Sequence, residues 1–312
     1  MLSRLCSIVL ASLFLSALPT VSRAASNPYG VEAYTILDNE TGHVLESSNG
    51  SKKRQVASLT KICTAMVVLD WCRATKHDVA ELVPVPEEIA RMEGSNPVGL
   101  TPGDFVSVRD LLYCALLQSD NAAAYTLAAH VGRSLKAEKP SDLGPVDTFV
   151  AQMNALSRSL GLERTLFLNP HGLEPARGVL PYSTSADMAV LARYAMQDKG
   201  FRFYVSQKER KISIMRALKP ESYLLKNTNE LLGQDGIDGV KTGKTTAAGE
   251  CLIVSAVKDP ETREEGGKTY VTPRRVTVVL LGAQDRFSAG VTLLNRGWAL
   301  EEQWAAGGRK LK

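Results

Sequence analysis

Apolar, strand-like stretches stand at the two ends of this chain, Val31 to Leu37 near the start and Cys251 to Val257 and Arg275 to Leu281 near the finish. Helical periods fill most of what lies between. Strands at both ends with helices inserted between them predict one compact α+β unit carrying a helical subdomain. No internal repeat or long linker speaks for a second domain.

The first strand is followed by the turn Asp38-Asn39-Glu40-Thr41-Gly42 and then His43-Val44-Leu45, which reads as a hairpin. Val108 to Leu117 reads as a helix that breaks at Gln118-Ser119-Asp120-Asn121, and helical composition resumes from Ala122 to His130. Val146 to Leu160 and Thr184 to Met196 are further helices, the second opening on a T-x-x-D capping pattern at Thr184 and Asp187. Lys258 to Pro273, rich in charge and glycine, reads as an exposed hairpin loop, and Asp285 to Trp304 as a terminal helix.

Residues 1–24 have the form of a secretory signal peptide, with Arg4, an apolar run from Ile8 to Leu18, and small residues spaced for cleavage near Ala24. The mature protein, residues 25–312, is therefore expected outside the cytoplasm, in the periplasm or cell envelope. The formal charge of +4 includes Arg4 and Arg23, which leaves +2 (4 − 2) after cleavage. So mild a balance does not call for nucleic acid. Trp298 and Trp304 beside the basic end Arg309-Lys310-Lys312 allow at most a peripheral membrane contact, and a packed terminal helix with a frayed tail is the favoured reading. Past the signal, Cys63, Cys72, Cys114 and Cys251 read as small buried apolar residues, with a Cys63–Cys114 disulfide permitted by the compartment but not required. Four scattered histidines without C-x-x-C or H-E-x-x-H spacing argue against a metal site, and no cofactor motif is present.

The chemistry gathers at Ala57-Ser58-Leu59-Thr60-Lys61, which opens the apolar helical run Ile62 to Leu69. A serine three residues before a lysine at a helix start puts hydroxyl and amine on one face, a nucleophile with its own base. Such a match arises about once by chance in a chain of this length. Taken alone, Ser58 is better read as an ordinary N-cap with Lys61 in solvent. Two further motifs change that: Ser119-Asp120-Asn121 in a break between helices and Lys241-Thr242-Gly243 at a strand edge. Lys61 must shed its proton to act as a base, and the nearby ammonium of Lys241 would depress its pKa. On the strand, the missing Cβ of Gly243 would let substrate backbone approach closely.

With these motifs the chain resembles the low-molecular-mass penicillin-binding proteins of the D-alanyl-D-alanine carboxypeptidase family, from about Tyr34 to Trp298. The segments Leu160-Gly161-Leu162, Asn169-Pro170-His171-Gly172-Leu173, Thr228-Asn229-Glu230-Leu231-Leu232 and Asp238-Gly239-Val240 carry the same likeness. The resemblance implies an α+β fold with an antiparallel sheet flanked by helices and a helical subdomain within about residues 72–200. It also implies peptidoglycan stem peptides ending in D-Ala-D-Ala as substrate, with β-lactams as covalent inhibitors. It casts Ser58 as nucleophile, Lys61 as base and Ser119 as proton relay. Asn121 would hold the acyl part of the substrate, Thr242 its terminal carboxylate, and the backbone N–H groups of Ser58 and Lys244 the oxyanion. Arg275 falls where the family places an arginine near the substrate carboxylate, although Arg274 is adjacent and a one-residue slip reverses the face.

Three departures bear on function. The chain stops soon after Trp298, where many members continue into a β-rich domain and an anchor helix, so no C-terminal β-domain is expected. Ser-Asp-Asn is equally the β-lactamase form, but no glutamate-leucine-asparagine segment offers a deacylating base, which ranks that reading lower. Met66 to Asp70 also resembles the D,D-endopeptidases that cut cross-links. A non-enzymatic scaffold would be expected to lose Ser58, Lys61 or Lys241, and all three are present. His171-Gly172 reads as a structural turn, and Lys241 to Thr245 fails the phosphate-loop spacing, whose first glycine would fall at Asp238.

Overall fold

The computed structural model describes residues 27–139 and 142–310. The signal-peptide segment and Lys312 lie outside the described residues. In chain order the elements are β1 (Ala33–Asp38), β2 (Val44–Ser48), a 3₁₀ turn (Ala57–Thr60), α1 (Lys61–Thr75), β3 (Leu82–Pro84), β4 (Phe105–Ser107), α2 (Val108–Leu117), α3 (Asn121–Glu138) and α4 (Pro145–Ser159). They continue with α5 (Ser185–Gln197), α6 (Lys199–Val205), β5 (Glu209–Arg216), β6 (Lys219–Lys226), β7 (Ile237–Thr245), β8 (Gly249–Glu265), β9 (Lys268–Ala283) and α7 (Arg286–Ala306).

The two chain ends do meet in one sheet, ordered β2-β1-β9-β8-β7 with every pairing antiparallel. Its central strands read as unbroken apolar runs because both faces are covered. Along β8, Cys251 and Ile253 face the larger core shared with the helices, while Leu252, Val254 and Ala256 face a second core closed by Leu293, Leu294 and Trp298 of α7. Trp298 is thus packed, and Trp304 stacks on His43 with ring centroids 4.4 Å apart. Among the described residues no helix is long and apolar enough to cross a membrane.

One expectation needs correction. The stretch from Lys258 to Pro273 is not a loop: β8 and β9 run on as a two-stranded ribbon to a turn at Gly266-Gly267, both at positive φ. The ribbon has no buried face, so the apolar alternation that marks a strand is missing, while the Gly-Gly pair that fits such a turn remains. A second sheet, β3-β4-β5-β6, was not foreseen. Its hairpin turns at Ala217-Leu218, both at positive φ without glycine or asparagine, so the usual turn signal is lacking. All four described cysteines are buried and free, as the favoured reading had them, and the permitted Cys63–Cys114 pairing is not made. Cys63 Sγ instead donates to the Met153 carbonyl at 3.7 Å.

Candidate active site

Ser58 lies in the 3₁₀ turn one step before α1, and Lys61 is the first residue of the helix. The turn brings Ser58 Oγ and Lys61 Nζ to 2.8 Å. Lys61 Nζ also donates to Asn121 Oδ1 at 2.7 Å and to the His171 carbonyl at 3.0 Å. A neutral amine has two N–H groups and one lone pair, which these three neighbours match: two acceptors and one hydroxyl able to donate. Burial comes first in holding the Lys61 pKa well below the ordinary lysine value, the Lys241 charge adds to it, and Asp120 opposes it. Burial therefore outweighs the second ammonium expected from the sequence.

Asn121 is free for this contact because its neighbour caps the helix. Asp120, fully buried, accepts from Ala123 N at 2.9 Å, and its other oxygen accepts from Val98 N at 3.3 Å. Ser119 stands half-buried in the break with φ +61°, a left-handed conformation uncommon for serine. The Asn169-Pro170-His171-Gly172-Leu173 segment is a turn, as expected. Asn169 Oδ1 accepts from Gly172 N at 2.7 Å and its amide donates to the Leu173 carbonyl at 2.7 Å. Gly172 sits at φ +88°, and a Cβ there would collide with the Ala57 carbonyl, so glycine is required to press His171 O against Lys61. Burial and the Lys61 charge push the His171 pKa down to about 3.

The third motif lies on β7, the sheet edge beside the 3₁₀ turn. A Cβ on Gly243 would lie 3.1 Å from Val56 O and 3.2 Å from the Ser58 backbone nitrogen. The absent side chain thus lets the Ser58 turn pack close against β7. Lys241 is buried, its Nζ donates to the Thr242 carbonyl at 3.0 Å, and its pKa is lowered to about 7 by burial and then by the Arg286 charge. Thr242 Oγ1 lies 2.7 Å from Thr228 Oγ1, and Thr228 Oγ1 donates to the Leu117 carbonyl at the end of α2. The Lys244 side chain reaches out to Glu250 at 2.9 Å. Three segments distant in sequence therefore converge on Ser58.

Arg275 does not join them. Its guanidinium is held by both Asp238 oxygens at 2.6 and 2.7 Å and by Ser255 Oγ at 2.9 Å. Lys241 pairs with Ile253 and Ile253 with Val279, so Arg275 lies four residues, about 13 Å, down the sheet from that level. The arginine at the site is Arg286, whose Nη1 donates to the Gly243 carbonyl at 3.2 Å and whose buried Nε has no partner among the described residues. Topology held the missed signal. Both β7 and β9 run antiparallel to β8, so the C-terminal end of β9, not its start, lies beside Lys-Thr-Gly.

What this arrangement can do is nucleophilic acyl transfer, with a serine hydroxyl on a buried lysine base and cationic groups beside it. The chain belongs to the peptidase S11 family, described as D-alanyl-D-alanine carboxypeptidase, which it matches over residues 21–263. It is similar to the D-alanyl-D-alanine carboxypeptidase DacC of Escherichia coli K12, 32% identical over 279 residues that cover 86% of this chain and 62% of DacC. The chain thus spans under two thirds of that relative's length. A D-alanyl-D-alanine endopeptidase of Pseudomonas aeruginosa is 31% identical over 311 residues, covering 95% of this chain and 88% of its own. The crystal structure of the Streptomyces K15 DD-transpeptidase aligns with a TM-score of 0.71 at 28% identity, covering 86% of this chain and 97% of that one.

Proposed function

We propose that the protein is a serine D-alanyl-D-alanine carboxypeptidase acting on peptidoglycan stem peptides outside the cytoplasm. The observation that carries this reading is the 2.8 Å contact between Ser58 Oγ and a buried Lys61 amine that favours its neutral form. Ser58 Oγ attacks the carbonyl between the two terminal D-alanines as Lys61 takes its proton. The C–N bond then breaks, Ser119 relays a proton to the departing D-alanine amine, and water cleaves the Ser58 ester. The backbone N–H groups of Ser58 and Lys244 receive the oxyanion, and Asn121 holds the acyl-side peptide. Lys241, Thr242 and Arg286 receive the terminal carboxylate, the part first given to Arg275. β-Lactams, which offer a cyclic amide beside a carboxylate, enter the same site as covalent inhibitors.

Cross-link endopeptidase is the second reading, favoured by the match to nearly the whole of the Pseudomonas endopeptidase. Both use the same acyl transfer and differ in the leaving amine. Mature protein incubated with a fluorescent penicillin is expected to carry the label on the peptide containing Ser58. Absence of a covalent adduct defeats the enzyme reading, and rapid penicillin turnover would instead mark a β-lactamase. Mass spectrometry of products from a pentapeptide and a cross-linked dimer then decides between release of D-alanine and dimer cleavage.

Arg286→Ala is expected to lower kcat/KM for the pentapeptide by about 10- to 100-fold, mostly through KM, as for a lost hydrogen bond to a charged group. Arg275→Ala, which leaves Asp238 unpaired, is expected to lower the melting temperature and leave KM unchanged. The reverse pattern in steady-state kinetics and thermal melts would return the carboxylate role to Arg275.

A further inference from the structure

His77 follows α1, Glu81 stands four residues on beyond a turn, and His130 projects from α3. One ligand atom from each lies within 4.8 Å of the other two. His77 Nε2 is 2.8 Å from Glu81 Oε2, yet it makes no hydrogen bond, and neither does His130 Nε2 among the described residues. Both nitrogens are buried. Around them Trp71 packs on His77 at 4.2 Å and on His130 at 5.5 Å between ring centroids, with its Nε1 fixed by Ser134 Oγ at 3.2 Å.

Aromatic packing explains the stacked rings but not why two ring nitrogens are buried together beside a carboxylate, one 2.8 Å from it without hydrogen-bonding geometry and the other without a partner among the described residues. A shared Lewis acid explains all three. We propose that His77, Glu81 and His130 bind a divalent transition-metal ion of the Zn²⁺ class, with water in a fourth position. Tetrahedral bonds of about 2.0–2.1 Å place ligand atoms about 3.3 Å apart. His77 Nε2 and Glu81 Oε2 are 2.8 Å apart, all three ligand atoms lie within 4.8 Å of one another, and Glu81, on an exposed turn, is free to adjust. Two imidazoles and a carboxylate suit Zn²⁺ and not the all-oxygen shells of Mg²⁺ or Ca²⁺.

The proposal departs from the sequence expectation of no metal site. His77 and Glu81 flank a turn instead of sharing a helix face, and His130 arrives from another helix, so no spacing motif exists. The ion would tie the end of α1, whose first residue is Lys61, to α3, whose first residue is Asn121. Its role is structural, and it stands or falls independently of the acyl-transfer reading.

Untagged mature protein, stripped with chelator, is titrated with Zn²⁺ by calorimetry and followed by thermal melting. One site per chain is expected, with a melting rise of about 5 °C or more at 100-fold excess over Kd. Glu81→Gln should weaken binding at least tenfold, and His130→Ala should abolish it, while circular dichroism and a cooperative thermal melt of the metal-free protein report that each variant is folded. Should His130→Ala fail to fold, His77→Gln takes its place. No saturable binding at 50 times the protein concentration, or affinity unchanged in the folded variants, overturns the proposal. An unchanged circular dichroism spectrum with lost Zn²⁺ binding supports it.

Discussion

Lys61→Gln is expected to slow acylation of Ser58 by a fluorescent penicillin about 10³-fold, within the range for removing a positioned general base. Glutamine keeps a hydrogen-bonding end near Asn121 Oδ1 and the His171 carbonyl but cannot take the Ser58 proton. The loss belongs to the chemical step, because Lys61 is placed on the hydroxyl and not on the substrate. The pH dependence supplies a second reading. Acylation follows the deprotonated fraction of Lys61, so the wild-type rate rises with pH and levels off well below 10.5, since burial and the Lys241 charge depress that pKa. The glutamine variant should lack this rise. A time course of labelling between pH 5 and 10 measures both effects. A loss under tenfold, or an unchanged profile, would move the base to another group, with Ser119 the next to examine.

The parts of this site that the sequence discloses are those joined by short spacing. Ser58 and Lys61 are three residues apart, and a single turn of either helix type brings them together. Asp120 announces itself as the cap that leaves Asn121 free. Strand-edge placement of Lys241 follows from the apolar runs around it. Long-range pairing is where the sequence falls silent. Choosing between Arg275 and Arg286 requires the order β9-β8-β7, which no local pattern encodes, although the hairpin direction would have sufficed to place the end of β9 beside Gly243. The β5–β6 hairpin was hidden because its turn residues, Ala217 and Leu218, adopt positive φ between paired strands and not by preference. The close approach expected at Gly243 is made in the structure by the Ser58 turn. A close approach names no partner, and the Ser58 turn was as eligible as a substrate.

Lys241→Met is expected to make the fold more stable and the protein less active, and the stability gain should depend on pH in a fixed direction. In the native state the Lys241 pKa is about 7, against 10.5 for a free lysine. Between those values the unfolded chain binds more protons than the folded one, so stability climbs with pH across that window. Below pH 7 both states are protonated and the whole cost of burying the charge is present. By pH 9 much of it has gone. For this single group the cost falls by about 2–3 kcal/mol between pH 6 and pH 9. Methionine fills similar space without a titrating group, so its advantage over wild type should shrink by that amount over the same interval. Urea unfolding of both proteins at the two pH values gives the number, and a gap that stays constant or widens with pH would show that Lys241 remains charged inside the fold up to pH 9, its pKa not depressed. The activity change runs the other way. Without the Lys241 charge the Lys61 pKa rises, so the level part of the acylation profile moves to higher pH. Affinity for a carboxylate-bearing substrate falls with it. The buried ammonium thus destabilises the resting protein while it adds to the burial that lowers its neighbour's pKa and favours the neutral amine, which explains why a site built on two lysines places both of them out of water.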